Sequence, residues 1–143
     1  MYLTKECDYG LRIVRALSAG DKKNAEEICV AEHIPGQYVY KILKKLDRAG
    51  IVKSSRGRDG GYKLAASPDA FSIYDVVSSI DGNLFVNECL RKDHDCLRNS
   101  TGHPCAVHKE LERIQLVLVS EMRKKSMTQV IVEGKDSIDN GYE

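Results

Sequence analysis

The sequence of 143 residues contains no long apolar run and no strong excess of one charge. A membrane-spanning helix needs about 20 apolar residues, and no stretch approaches that length. Residues 1–6 lack the apolar core of a secretory signal peptide, so we expect a cytoplasmic protein with no membrane partner. The net charge of +1 does not by itself indicate a polyanionic ligand.

Motifs of catalysis are also missing. The sequence has no pair of catalytic carboxylates, no nucleophile elbow and no phosphate-binding loop followed by Lys and Ser or Thr. Gly57, Gly60 and Gly61 are explained by a hairpin turn. We therefore predict that the protein is not an enzyme.

The distribution of charge is more informative than the total. Residues 1–66 carry thirteen Lys or Arg against eight Asp or Glu, whereas residues 67–143 carry nine against thirteen. Within residues 41–63, eight basic residues face only Asp47 and Asp59. This asymmetry favours a polyanion partner for the first half, although a solvated lysine-rich helix face would have the same composition.

Hydrophobic spacing predicts an order of elements that is typical of a winged helix-turn-helix. The fold class is mainly α, with a two-stranded wing after the third helix. Predicted helices cover residues 3–18, 24–33, 37–48, 72–80, 105–125 and 127–132, and predicted strands cover 51–54 and 61–64. We divide the chain into a DNA-binding domain (1–80), a cysteine-bearing loop (81–104), a dimerisation helix with a short final helix (105–132) and a flexible tail (133–143).

The long predicted helix has an apolar stripe with alternating steps of three and four. Such a stripe packs either on its own domain or on a partner helix. We favour pairing with a second copy, because helix-turn-helix proteins commonly bind DNA as dimers. The stripe comprises Val107, Leu111, Ile114, Leu118 and Met122.

Three segments of the sequence resemble the Rrf2 family of bacterial regulators. The resemblance covers about residues 1–130 and implies a homodimeric winged-helix protein that binds a pseudo-palindromic double-stranded DNA operator. The wing motif is the most specific of the three. The segments are Leu3-Thr4-Lys5 with Asp8-Tyr9-Gly10-Leu11-Arg12, then Ile34-Pro35-Gly36-Gln37-Tyr38, and Arg56-Gly57-Arg58-Asp59-Gly60-Gly61-Tyr62-Lys63-Leu64.

Docking of such a fold on DNA predicts which side chains read the duplex. The N-terminal part of a recognition helix faces base edges, and the wing reaches the backbone or the minor groove. Arg56, with Arg58 beside it in the wing, is the candidate for the minor groove. Gln37 and Lys41 are the candidates for hydrogen bonds to bases, Tyr38 and Tyr40 for phosphate bonds or packing on thymine methyl groups, and Lys44, Lys45 and Arg48 for phosphate contact.

The five cysteines are odd in number, which argues against a disulfide framework in a chain without a signal peptide. Cys7 and Cys29 lie on apolar helix faces and are interpreted as small buried hydrophobes. Cys89, Cys96 and Cys105 lack zinc-finger spacing, and soft thiolates on a loop suit an iron–sulfur cluster.

The family resemblance implies that these three cysteines are cluster ligands and leaves the fourth ligand open. His108 follows Cys105 in the Cys-x-x-His pattern of IscR-like members, which hold a two-iron cluster. Asp8 matches an aspartate that NsrR-like members use on a four-iron cluster. We favour His108 and 2Fe–2S over 4Fe–4S; His94 and His103 match no motif.

The sequence thus predicts a transcription regulator whose DNA affinity depends on a bound iron–sulfur cluster that senses redox state, nitric oxide or iron supply. The alternative is a cluster-free regulator of the same fold that uses a thiol switch or a partner protein. In that alternative, Arg91, Lys92 and Arg98 would favour a reactive thiolate.

Overall fold

A computed structural model of the chain describes residues 3–100, 102 and 104–136. This part of the chain holds seven helices, one antiparallel strand pair and two short 3-10 turns. The helices are α1 (Lys5–Leu17), α2 (Ala25–Glu32), α3 (Gly36–Arg48), α4 (Ile73–Asp81), α5 (Leu97–Ser100), α6 (Ala106–Lys124) and α7 (Met127–Asp136); the strands are β1 (Val52–Ser55) and β2 (Gly61–Leu64); the turns are Pro68–Ala70 and Glu88–Leu90.

Side-chain caps fix where the first helices begin. The Thr4 hydroxyl accepts from the Cys7 amide at the start of α1. Asn24 forms a reciprocal capping box with Glu27 at the start of α2. The helices predicted over 3–18, 24–33, 37–48, 72–80 and 105–125 are confirmed to within two residues at each end.

The hairpin between β1 and β2 pairs Val52 with Leu64 and Ser55 with Gly61. The first strand begins one residue later than predicted, because the Ile51 amide donates to the Leu46 carbonyl at 3.0 Å and so belongs to the turn after α3. A Cβ at Gly60 would lie 2.6 Å from the Ser55 carbonyl oxygen, closer than real Cβ contacts. The hairpin therefore requires a residue without a side chain at this position.

The hydrophobic core lies among α1, α2, α3, β1 and α4. The predicted apolar face of α3 is fully buried, and Glu32 is a buried carboxylate that forms an ion pair with Arg15 of α1. The described core residues are Cys7, Tyr9, Ile13, Val14, Leu17, Ala25, Ile28, Ile34, Val39, Ile42, Leu43, Leu46, Ile51, Val52, Val76, Val77, Ile80 and Met127.

The C-terminal half departs from the prediction in two places. The segment 81–104 contains α5 and the second 3-10 turn, which are too short to produce a hydrophobic period. The final helix runs to Asp136 rather than 132, and Glu133 within it forms an ion pair with Lys125, which precedes the helix. Residues 137–143 of the expected flexible tail lie outside the described residues.

Candidate DNA interface and cysteine loop

The exposed face of α3 carries most of the side chains predicted to read DNA. Gln37, Tyr40, Lys41 and Lys44 are all exposed, while the opposite face of the helix is buried in the core. Tyr40 is an apolar ring on the surface, with 61% of its area accessible. The amphipathic pattern of α3 thus produces a polar surface backed by a fixed core.

Tyr38 has a different environment from its neighbours. It is half-buried, and its ring packs edge-on against Tyr9 of α1 at 5.3 Å between centroids. Arg12 in turn lies over the Tyr9 ring at 5.7 Å. Because its ring is part of the α1–α3 contact, Tyr38 is less accessible than Gln37 and Tyr40, and its contact with DNA stays a prediction.

Two lysines of α3 are engaged by a carboxylate that the sequence reading did not identify. Glu6 of α1 accepts hydrogen bonds from Lys41 and from Lys45, the latter at 2.8 Å. Lys45 also donates to the carbonyl of Ile80 at 3.0 Å, at the end of α4. The sequence places Lys41 and Lys45 one helical turn apart. It contains no local pattern that links them to Glu6, because Glu6 and Lys41 are 35 positions apart.

The wing places Arg56 and Arg58 at an exposed tip. Gly57 has a φ of +104°, which non-glycine residues rarely adopt. The Ser55 and Gly57 carbonyl oxygens leave no room for a side chain at Gly60. Tyr62 and Lys23 exchange backbone hydrogen bonds of 2.8 and 3.0 Å, which tie β2 to the start of α2. The position of the two arginines is therefore set by backbone bonding and not by their own contacts.

The three clustered cysteines lie at three different places in the segment that leads into α6. Cys89 is in the second 3-10 turn, Cys96 precedes α5, and Cys105 is the N-cap residue of α6. All three are half-buried and none is in a disulfide. Asn87 donates to the Cys89 sulfur at 3.5 Å, and Asn99 accepts from the Cys105 amide at 3.1 Å.

His108 is one turn into α6 from Cys105, and its Nδ1 is buried without a hydrogen-bond partner. An unsatisfied buried imidazole nitrogen is unusual and suits a metal ligand. Within residues 3–100, 102 and 104–136, no three His, Cys, Asp or Glu side chains lie close enough to hold one metal ion. The structure thus does not bring the four predicted ligands together, and the ligand set stays a prediction; His103 lies outside the described residues.

The alternative ligand Asp8 lies on another part of the surface. Its carboxylate is exposed and pairs with Arg12 at 2.8 Å on the same helix. Asp8 borders a groove of about 790 Å³ between α1 and α7 rather than the cysteine loop. Within one chain, Asp8 is therefore not positioned beside Cys89, Cys96 or Cys105.

Gln115 attaches the loop to α6. Its Nε2 donates to the Leu84 carbonyl at 2.6 Å, and its Oε1 accepts from the Val86 amide at 2.7 Å. One side chain thus satisfies the backbone of the loop just before Cys89. The sequence did not predict this role for Gln115, since a single glutamine in an amphipathic helix carries no signal of the distant backbone that it bonds.

The interpretation of Cys7 as a buried residue is confirmed, whereas Cys29 is only half-buried against the core. The Cys7 sulfur lies 3.1 Å from Asp81 Oδ2, which also accepts from the Thr4 hydroxyl. Burial, with the nearby Asp81 carboxylate adding to it, raises the pKa of the Cys7 thiol to about 11. Cys7 is therefore a neutral packing group at ordinary pH.

Residues 3–133 match a family model described as Rrf2, an iron-dependent transcriptional regulator. The chain belongs to the Rrf2 family. An NsrR transcriptional regulator of Geobacillus kaustophilus is 32% identical over 123 residues, spanning 82% of this chain and 84% of the relative. The predicted family, and with it a role as a DNA-binding transcriptional regulator, is confirmed.

Solved structures support the Rrf2 fold. CymR, the global cysteine regulator of B. subtilis, matches with a TM-score of 0.72 at 20% identity, covering 93% of this chain and 98% of that one. T. potens IscR matches with a TM-score of 0.71 at 16% identity, covering 100% and 93%. The predicted mainly α winged-helix fold is confirmed. Among the described residues, no helix is long and apolar enough to cross a membrane.

Proposed function

We propose that this Rrf2 regulator is a homodimer that binds a pseudo-palindromic operator and whose DNA affinity depends on an iron–sulfur cluster. The proposed ligands are Cys89, Cys96, Cys105 and His108, with Asp8 of a second subunit as the alternative fourth ligand. The DNA-reading residues are Gln37, Tyr38, Tyr40, Lys41, Lys44, Arg56 and Arg58.

One observation carries the cluster proposal. Three cysteines free of disulfides lie in one loop, and the helix that follows presents a buried imidazole nitrogen with no partner. Thiolates with one imidazole are a donor set that iron–sulfur clusters accept. The description of the family as iron-dependent adds independent support.

The position of these residues explains how ligand binding can reach the DNA interface. Bound at all four residues, a cluster would supply a redox-sensitive link between the loop and the first turn of α6. Cys89 is on the segment that Gln115 ties to α6, and the loop begins where Asp81 ends α4. Asp81 holds Thr4 and Cys7, and the neighbouring Ile80 carbonyl holds Lys45 of α3.

Dimer formation is supported by the surface of α6. This helix has no buried residue in the single chain, and Val107, Ile114 and Val117 are exposed on one side of it. An exposed apolar stripe of this kind marks a protein contact site. A second copy of α6 is the occupant that a two-fold symmetric operator requires.

Anaerobic purification followed by an ultraviolet–visible spectrum and counts of iron and sulfide tests the cluster. We expect charge-transfer bands with about two irons per chain if His108 completes the set, and about four if Asp8 does. Cys96→Ser should lose the bands, whereas the control Cys29→Ser should keep them. Colourless, iron-free protein after reconstitution would contradict the proposal.

The fourth ligand is assigned by comparing His108→Ala with Asp8→Ala. If His108 is the fourth ligand, His108→Ala should shift the spectrum and lose iron faster, and Asp8→Ala should match the parent. If Asp8 is the ligand, the two results should be reversed. Because Asp8 pairs with Arg12, circular dichroism must show that α1 is intact in Asp8→Ala.

A thiol switch is the second candidate, favoured by the partial exposure of all three loop cysteines. Arg91 contributes little to activating a thiol, because its guanidinium is held by Asp93 through bonds of 3.0 and 2.9 Å. A peroxide-dependent change in DNA affinity that persists in metal-free protein would favour this candidate over the cluster.

A further inference from the structure

Glu6 is an anion placed inside the proposed DNA interface. Its side chain is 19% exposed and lies between Lys41, at 58%, and Lys45, at 30%. Hydrogen bonds from Lys41 and then Lys45 hold the pKa of Glu6 below its ordinary value, so the carboxylate is charged at neutral pH. A fixed negative charge therefore accompanies the lysines of α3.

The two lysines differ in what else they contact. Lys45 also bonds the Ile80 carbonyl and so joins α3 to the end of α4. Lys41 is more exposed and follows Gln37 by one helical turn, on the same face. Lys41 is thus oriented for DNA while its charge is already balanced within the protein.

Because Glu6 already neutralises Lys41, a DNA phosphate adds less binding free energy through this lysine than through an unpaired one. Non-specific binding arises from lysine and arginine contacts to phosphates, which are the same on every duplex. A lysine that must leave an internal carboxylate gains little from a phosphate, and the released carboxylate repels the phosphates nearby. Only a duplex that offers Lys41 well-placed base acceptors compensates for the exchange.

We propose that Glu6 is a specificity-determining residue that weakens binding to non-operator DNA by holding Lys41. Glu6 acts through Lys41 and need not touch DNA itself. This inference rests on the proposed DNA-binding role of α3. It predicts that removing the charge of Glu6 increases affinity for any duplex more than affinity for the operator.

The test compares two duplexes by fluorescence anisotropy over a series of KCl concentrations. One duplex is selected from a random pool with the parent protein, and the other is a scrambled version of equal length. Glu6→Gln should bind the scrambled duplex about fivefold more tightly. Its plot of log affinity against log salt should steepen by about one phosphate contact.

Matched variants separate this effect from a general change in charge or stability. Glu133→Gln removes the same charge from an exposed glutamate that pairs with Lys125 on α7, and should leave both affinities unchanged. Glu6→Asp, which keeps the charge, should restore the parent's preference for the selected duplex. In a Lys41→Gln background, Glu6→Gln should have a clearly smaller effect on the scrambled duplex, because only Lys45 is then left to be released.

Lys41→Gln alone tests the inference even if Glu6→Gln fails to fold. It should weaken the selected duplex and leave the scrambled duplex nearly unchanged. Equal weakening of both duplexes, or an unchanged preference in folded Glu6→Gln, would overturn the inference. If the parent protein binds no duplex, the proposed function fails; if it selects a duplex and only the Glu6 variants disagree, the role of Glu6 alone fails.

Discussion

The two halves of the described chain differ in how much they bury. Residues 7–80 contribute every buried hydrophobic residue of the described core except Met127, whereas no described residue between 81 and 126 is buried. A helix of nineteen residues and the loop before it are thus held by a few contacts. The first half is stabilised by its own core, whereas the described part of the second half has little core of its own.

The largest effect expected from this contrast is the difference in stability between truncating a leucine in each half. Leu43→Ala, at a fully buried position of α3, should lower the free energy of unfolding by about 2–5 kcal/mol, since it leaves a cavity. Leu90→Ala, at a half-buried position in the loop, should change it by less than about 1 kcal/mol. Urea unfolding followed by circular dichroism measures both, and equal losses would contradict the contrast.

A charged residue in the α6 stripe tests whether the exposed half is completed by a second copy. Ile114→Glu should raise the dimer dissociation constant by about a hundredfold, because it buries an unpaired charge in the contact. Glu112→Lys changes the charge of an exposed residue on the opposite side of the same helix and should have little effect. Analytical ultracentrifugation gives both constants; a dimer that withstands Ile114→Glu would assign the contact to another surface.

The sequence predicted the first half well because its signals are local. Asn24 and Glu27 form a capping box within a single turn of chain, and the apolar residues of α3 recur at helical spacing. The bonds of Glu6 to Lys41 and of Gln115 to the loop join residues far apart in the chain, so no window of sequence contains them. The short α5 has too few residues to show a period.

The wing offers a smaller test, because its shape depends on glycine. Gly60→Ala should reduce DNA affinity about tenfold with only a small loss of stability, since the new Cβ collides with the Ser55 and Gly57 carbonyl oxygens at the hairpin tip. Gly134→Ala, on α7 with open space around it, is the matched control. Anisotropy and thermal unfolding should be measured together, and unchanged affinity in Gly60→Ala would exclude the wing from the interface.

The smallest expected effect concerns the cysteines of the two halves. Iodoacetamide at pH 8 should label Cys89, Cys96 and Cys105 in metal-free folded protein and leave Cys7 unmodified. Because burial raises the pKa of Cys7 to about 11 from an ordinary 9.0, its contribution to stability is present below pH 9 and is lost as the pH rises towards 11. Cys7→Ala should remove this alkaline loss, which pH-dependent urea unfolding would detect.

Met127 attaches the end of the exposed C-terminal half to the core of the first half. Its side chain is buried in the core, and its amide donates to the Phe71 carbonyl at 2.7 Å, while Ser126 bridges to Ser72. The chain therefore leaves α4 at Asp81 and returns beside the first residue of the same helix. Both ends of α4 are thus attached to the C-terminal half, one by continuing into the cysteine loop and the other through Ser126 and Met127. The end that leads into the cysteine loop is also the end where the Ile80 carbonyl accepts from Lys45 of α3.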